Sequence, residues 1–390
     1  CCRLRTGFQK NNMRTELAFV LLLFFLIMIK SCTAPEPKNI NWDAAGGNAG
    51  QTKYSALAQI NKGNIHQLKI AWIYHSGNAA GNIQCNPLVI DGVMYVTTPE
   101  QHLVAVDAVN GKEKWRFRPE RKGEKFSNVN RGLAYYGSGG QQIVFYGSGN
   151  YLNAVDIRTG KPVTRFGDSG RINLSEGYSR PAEQMGMQAL AAPVVYKNIV
   201  IVGGTSWSAG AVVSGFDIMT GGKKWSFNTI PHPGEYGYDT WGDTSFYRTG
   251  AGVNVWGGLC VDTGRGMVFF STGQPKGDFY RPYNAGDQLY GNCIVALDAA
   301  TGKRKWHYQI IHRDLWDLDL PCAPVLVDLK QNGKNIPGVM QLSKTGNAFL
   351  FNRETGAPLS RIEERSVFPS TLEGEKAAPT QPYVSWPEPY

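Results

Sequence analysis

The segment Ile294-Val-Ala-Leu-Asp298-Ala-Ala-Thr-Gly302-Lys-Arg-Lys-Trp306 reads as an alternating strand, a tight turn and a second strand. It recurs as Leu103-Val-Ala-Val-Asp107-Ala-Val-Asn-Gly111-Lys-Glu-Lys-Trp115, as Val155-Asp156-Ile-Arg-Thr-Gly160-Lys161, as Gly215-Phe-Asp217-Ile-Met-Thr-Gly221-Gly-Lys-Lys-Trp225 and, weakened, as Leu350-Phe-Asn352-Arg-Glu-Thr-Gly356. An Asp or Asn side chain caps such a hairpin, and the Gly accepts the positive φ it requires. Another β-rich run precedes each hairpin, for example Pro87 to Val96 and Pro193 to Val202, so the repeating unit is predicted to be a four-stranded antiparallel sheet.

The repeated glycines are separated by 49, 61, 81 and 54 residues. Such irregularity would disturb a stacked solenoid but suits a propeller, whose loops lengthen while its blades keep their shape. Trp115, Trp225 and Trp306, at a fixed place after the turn, are predicted to pack one blade on the next. This pattern resembles the tryptophan-docking motif of quinoprotein propellers, over about residues 40 to 390. The resemblance implies an all-β, eight-bladed propeller of four-stranded blades. Five repeats, and a Pro-rich end at Pro387-Glu-Pro-Tyr390, lead us to expect an incomplete propeller over 32–390 holding the first half to five blades of a larger enzyme. The alternative is a smaller complete propeller.

Composition agrees. Of 390 residues 42% are hydrophobic and 18% charged, which excludes a disordered or fibrous chain; 46 Gly and 21 Pro favour many short strands over long helices. The net charge is +9, but Arg3, Arg5, Lys10, Arg14 and Lys30 against Glu16 place +4 of it before residue 32. The remainder is too dilute to indicate a nucleic-acid partner. Cys85, Cys260, Cys293 and Cys322 are widely spaced, without a CxxC or a haem-attaching CxxCH.

Met13-Arg14 leads into an uncharged run, Leu17 to Ile29, followed by Lys30-Ser31-Cys32. The run suits the apolar centre of a secretory signal. Residues 1–12 read as an extension upstream of the start, and 13–31 resemble a bacterial lipoprotein signal with Cys32 as the lipidated residue, although Lys30 departs from the usual small or apolar residue. The expectation is an exported, periplasmic protein anchored to the membrane by lipid. A plain signal peptide with an incidental Cys is the alternative.

The chemistry is expected in His312-Arg-Asp314-Leu-Trp316-Asp317-Leu-Asp319-Leu-Pro321. On an extended strand Asp317 and Asp319 would face the same side and repel unless a cation lay between them. A surface acidic loop is the plain alternative, but Trp316 and Leu318 are poor surface residues. The segment resembles the membrane-bound glucose dehydrogenase branch of the dehydrogenases that use pyrroloquinoline quinone. That resemblance implies Asp317 as catalytic base and Lys344, 27 residues onward in Ser343-Lys-Thr-Gly-Asn347, as the lysine touching the quinone. It further implies Trp256 as the stacking floor beneath the cofactor, Arg131 as partner of a cofactor carboxylate, and Gln84 near the quinone carboxyls. A divalent cation, usually Ca with Mg or a lanthanide as alternatives, would take Gln274 and Asp319; the position that gives alcohol-oxidising relatives a Glu falls in Thr205-Ser-Trp-Ser208, which has no carboxylate. The implied activity is oxidation of a sugar or other polyol, with electrons leaving to a membrane quinone (ubiquinone or menaquinone) or a cytochrome c. An assembly scaffold, an outer-membrane lipoprotein propeller that binds proteins and no cofactor, is the reading from another class.

Overall fold

The computed structural model describes residues 40–77, 81–120, 129–176, 182–206, 208–242, 245–277, 279–281, 286–331 and 333–385. Cys32, the signal segment and the terminal Pro387 to Tyr390 lie outside them. Residues 56–61 group with the N-terminal segment; they are exposed and without regular structure. Residues 41–55 and 62–390 form the other unit. No helix among the described residues is long and apolar enough to cross a membrane.

The second unit is a series of antiparallel sheets in simple up-and-down order, as expected of propeller blades. Blade 1 is β1 (Leu88–Ile90), β2 (Val93–Thr97), β3 (Leu103–Asp107) and β4 (Glu113–Phe117). Blade 2 has β5 (Ala134–Ser138), β6 (Gln141–Ser148), β7 (Tyr151–Asp156), a two-residue β8 (Lys161–Pro162) and β9 (Arg171–Asn173), both of the last two paired with β7. Blade 3 is β10 (Val194–Tyr196) to β13 (Lys223–Asn228), through β11 (Ile199–Gly203) and β12 (Val212–Asp217). Blade 4 is β14 (Leu259–Asp262), β15 (Met267–Ser271), β16 (Cys293–Asp298) and β17 (Arg304–Gln309). A three-stranded sheet of β18 (Val325–Gln331), β19 (Lys334–Leu342) and β20 (Ala348–Asn352) follows, then the pair β21 (Ile362–Ser366) and β22 (Thr380–Val384).

The hairpins are built as their sequence requires. Asp298 Oδ1 accepts the backbone N–H of Ala300 and of Thr301, and Gly302 has φ +71°. Asp107, Asp217 and Asn352 repeat the arrangement. At Asp107 the backbone N–H of Val109 and then the Lys114 ammonium hold the carboxyl below its ordinary range.

The tryptophans dock between blades. Trp225 Nε1 donates to Ala299 O of blade 4 at 3.2 Å, and its ring lies where a Cβ on Gly302 would sit, at 2.4 Å. Trp115 does the same at Ile157 and Gly160, and Trp306 at Arg353 and Gly356. Trp72, whose place in the repeat is not evident from sequence, donates to Ala108 O and covers Gly111. Gly111, Gly160, Gly302 and Gly356 thus each serve two ends, a left-handed turn and a seat for the neighbouring indole. Blade 2 has no tryptophan after its turn. Backbone replaces it: Gly167 N donates to Thr220 O and fills the space beside Gly221.

First strands of successive blades face one another, β5 against β10, β10 against β14 and β14 against β18. In an antiparallel sheet the start of strand one and the end of strand two lie at the same end. Residues just before a first strand or just after a second strand therefore gather at one rim of this inner layer.

Candidate active site

That rim holds a cavity of about 400 Å³. Arg131 precedes β5, Leu190 precedes β10, Asn254 and Trp256 precede β14, and Asp317 and Asp319 precede β18. Thr205 and Ser206 follow β11, Gln274 follows β15, and Lys344 follows β19. Six of the seven residues singled out from the sequence for base, cofactor and metal roles line this one cavity. The seventh, Gln84, is exposed and outside the lining; its neighbour Asn86 donates through backbone and side chain to Arg131 O, at 3.2 and 3.1 Å.

Lys344 Nζ donates to Asp317 O at 2.6 Å and to Asp317 Oδ2 at 3.2 Å, joining the two residues 27 positions apart. Asp317 adopts φ +55°, a left-handed conformation that few non-glycine residues hold outside tight turns and functional sites. The segment is thus a loop, and the extended strand supposed above does not form. Trp316 is 75% exposed, contrary to its expected burial.

Asp314 explains why the loop holds this shape. It is buried, and burial raises its carboxyl above the ordinary range against hydrogen bonds from Trp316 N (2.8 Å), Leu318 N (2.7 Å) and Asn292 Nδ2 (2.9 Å). An Asx-type turn therefore tethers both neighbours of Asp317, leaving Trp316 outside. Asp314→Ala should orphan these donors, lowering the thermal midpoint by the equivalent of about 1–3 kcal/mol. An unchanged midpoint in a melting experiment would show that the turn holds without the carboxylate.

Asp319 accepts Trp256 Nε1–H on Oδ2 at 2.7 Å and Gln274 N–H on Oδ1 at 2.6 Å. Burial raises its carboxyl, an effect opposed by these two bonds. Gln274 Nε2 lies 3.4 Å from Asp317 Oδ1. The Arg131 guanidinium lies 4.8 Å from the centre of the Trp256 ring, and burial lowers its pKa from the usual arginine value. Arg131 Nη1 and Thr205 Oγ1 are buried without a hydrogen-bond partner among the described residues. Asn254 Oδ1 receives Ser206 N–H at 2.8 Å, and Ser206 Oγ is spent on Met185 O at 2.7 Å, so that serine ties loops together. Sequence reasoning assigned no role to Asp314, Asn254, Thr205 or Lys276, of which the last three line the cavity. Of these only Asp314, placed two and four residues before the amides it caps, carried a local signal.

The cavity places a cation against a carboxylate, leaves a second cation incompletely satisfied, and exposes an aromatic wall. A flat, anionic, oxygen-bearing ligand matches those groups.

Residues 42–390 match the family described as PQQ glucose/ethanol/alcohol dehydrogenase, β-propeller domain. The quinate/shikimate dehydrogenase (quinone) of Acinetobacter baylyi is 30% identical over 89% of this chain and 47% of its own length. The quinoprotein glucose dehydrogenase of Escherichia coli is 31% identical over 88% and 46%. The chain spans about half the length of these curated relatives. Among solved structures, the quinohemoprotein alcohol dehydrogenase of Comamonas testosteroni aligns with a TM-score of 0.72 and 27% identity, covering 90% of this chain and 52% of that one. A europium-containing methanol dehydrogenase shares the fold, with a TM-score of 0.69 at 24% identity, covering 88% and 62%.

Proposed function

From the premise that this chain belongs to the PQQ glucose/ethanol/alcohol dehydrogenase family, we propose that it oxidises a hydroxyl of a sugar or other polyol, with Asp317 as the base. The observation that carries the proposal is the Asp317–Lys344 pair beside the Trp256 wall in one cavity. Relatives named glucose, glycerol and quinate/shikimate dehydrogenases support a polyol substrate, and stand beside others named alcohol dehydrogenases at similar identity. No observation favours the scaffold reading, which has no use for such a cavity.

The residues fit the cofactor. The cavity volume lies within the range of about 300–1,000 Å³ typical of small-molecule sites. Trp256 offers a flat face, while Arg131 Nη1 and Thr205 Oγ1, without a partner among the described residues, suit a carboxylate and a polar edge. Gln84 is proposed to act near the same carboxylates, through the segment that holds Arg131. When bound, pyrroloquinoline quinone supplies an electrophilic carbonyl that takes up hydride from the substrate carbon.

The chain supplies orientation and proton transfer. Asp317 takes the hydroxyl proton as general base. Lys344 holds Asp317 by its backbone carbonyl and by one carboxylate oxygen, which supports assigning its ammonium to stabilise negative charge that develops on a nearby oxygen. A divalent cation, Ca by preference, would draw on Gln274 and Asp319 and on cofactor oxygens. Oxygen donors suit such a hard ion, although among the described residues no group of three or more His, Cys, Asp or Glu converges on a point. Electrons are proposed to pass to ubiquinone, menaquinone or a cytochrome c. We place the protein in the periplasm, exported by residues 13–31 and held by a lipid on Cys32.

The test is an absorbance titration of the purified chain with quinone and Ca²⁺. Saturable binding that Trp256→Ala weakens is the expected result, since the substitution removes the stacking face. No binding, or binding indifferent to Trp256, would overturn the proposal.

A further inference from the structure

A tryptophan used as a floor needs its ring plane fixed, and an indole has one polar handle for that, its Nε1–H. Here that handle is held. We infer that Asp319 is the positioning residue for Trp256, and that its contribution to cofactor binding runs through the indole and persists without any metal ion. The inference rests on the functional reading above but concerns a separate role for Asp319.

Three features carry it. The Trp256 Nε1–H bond to Asp319 Oδ2, at 2.7 Å, joins a ring edge to a carboxylate, the stronger kind of hydrogen bond. The second oxygen is anchored independently by Gln274 N–H at 2.6 Å, so the carboxylate plane cannot turn to follow the indole. The backbones are also machined for this approach. A Cβ on Gly273 would meet both Asp319 oxygens at 2.7 Å, and a Cβ on Gly257 would lie 2.9 Å from Leu320 O and Cys322 N. Ser271 Oγ adds bonds to Leu320 O and Cys322 O, at 3.2 and 2.9 Å. The Trp256–Gly257 and Asp319–Cys322 segments therefore interlock at two points.

The consequence is a fixed registration between floor and base. Asp317 lies two residues before Asp319 on the same loop, so the bond that sets the indole also ties the loop that carries the base to it. Loss of Asp319 would leave two donors, Trp256 Nε1–H and Gln274 N–H, without their acceptor.

The experiment compares Asp319→Asn, Asp319→Ala, Trp256→Phe and the Asp319→Ala/Trp256→Phe double variant on the purified chain. Trp256→Phe keeps a stacking ring but removes the N–H. Quinone affinity is measured by absorbance titration in chelator, and the indole N–H resonances are recorded by ¹⁵N NMR, with Trp256→Phe identifying the signal. The expected results are an upfield shift of that resonance in Asp319→Ala, partial recovery in Asp319→Asn, and a metal-free affinity loss of about tenfold in Asp319→Ala, the scale of one lost charge-assisted bond. The double variant should bind no more weakly than its weaker single variant, because both changes remove one interaction. Gly273→Ala should reproduce the indole shift with the carboxylate still present.

Asp319→Ala that binds quinone as tightly as wild type in chelator, and changes only the Ca²⁺ half-saturation, would overturn the inference and make Asp319 a metal ligand alone. Additive losses in the double variant would overturn it as well. A wild type that takes up no quinone sinks the functional reading instead, and the clamp with it. Should Asp319→Ala fail to fold, Gly273→Ala and Trp256→Phe carry the comparison, with an unshifted indole resonance in Gly273→Ala, or quinone affinity in chelator unchanged in Trp256→Phe, as the adverse result.

Discussion

Asp317→Asn is expected to reduce turnover by about 10²–10⁴-fold while leaving quinone affinity within a few-fold of wild type. The amide cannot accept the substrate proton, yet its shape fits the same place. The shorter Lys344 bond goes to the backbone carbonyl of Asp317, at 2.6 Å, and the substitution leaves that bond intact. The Asp314 turn likewise remains, because its hydrogen bonds run to the amides of residues 316 and 318. Steady-state rates with a polyol substrate and a separate quinone titration on the same preparation make the check. A rate within tenfold of wild type would remove Asp317 as base, whereas a collapse of affinity would make it a binding residue.

The largest stability effect is expected at a docking tryptophan. Trp225 is 7% exposed, fills the seat above Gly302 and donates to Ala299 O. Trp225→Ala should destabilise by about 3–5 kcal/mol, from lost transfer energy and the cavity left between blades 3 and 4. Trp316→Ala, at a position 75% exposed, should change stability by about 0.5 kcal/mol or less. Denaturant midpoints for the two variants test the contrast. Equal midpoints would mean that the repeated tryptophans do not carry the joints between blades.

This contrast marks how far a tryptophan can be understood from its neighbours along the chain. Trp225 stands four residues after a hairpin glycine that recurs with its own tryptophan elsewhere, and repetition identified its role. Trp316 occurs once, in a run of alternating acids and leucines, and its apolar character suggested burial. The Asp314 turn instead takes the carboxylates inward and leaves the indole in solvent. Blade 2 shows the same limit. The missing tryptophan after Gly160 was visible, but its replacement by backbone at Gly167 depends on a contact with Thr220, 53 residues away.

The sheet units are legible along the chain because hairpin chemistry is local: an acid four residues before a glycine can satisfy only its own turn. The likeness that pairs Asp317 with Lys344 is legible there too. That β11, β15 and β19 end where β5, β10, β14 and β18 begin, bringing Arg131, Trp256, Gln274, Asp319 and Lys344 to one cavity and leaving Gln84 outside it, emerges from the packing of the blades. Whether a side chain reaches a common rim depends on where each blade lies on its neighbour. That placement comes from indoles packed across 40 to 75 residues of chain, a separation at which no local pattern specifies position.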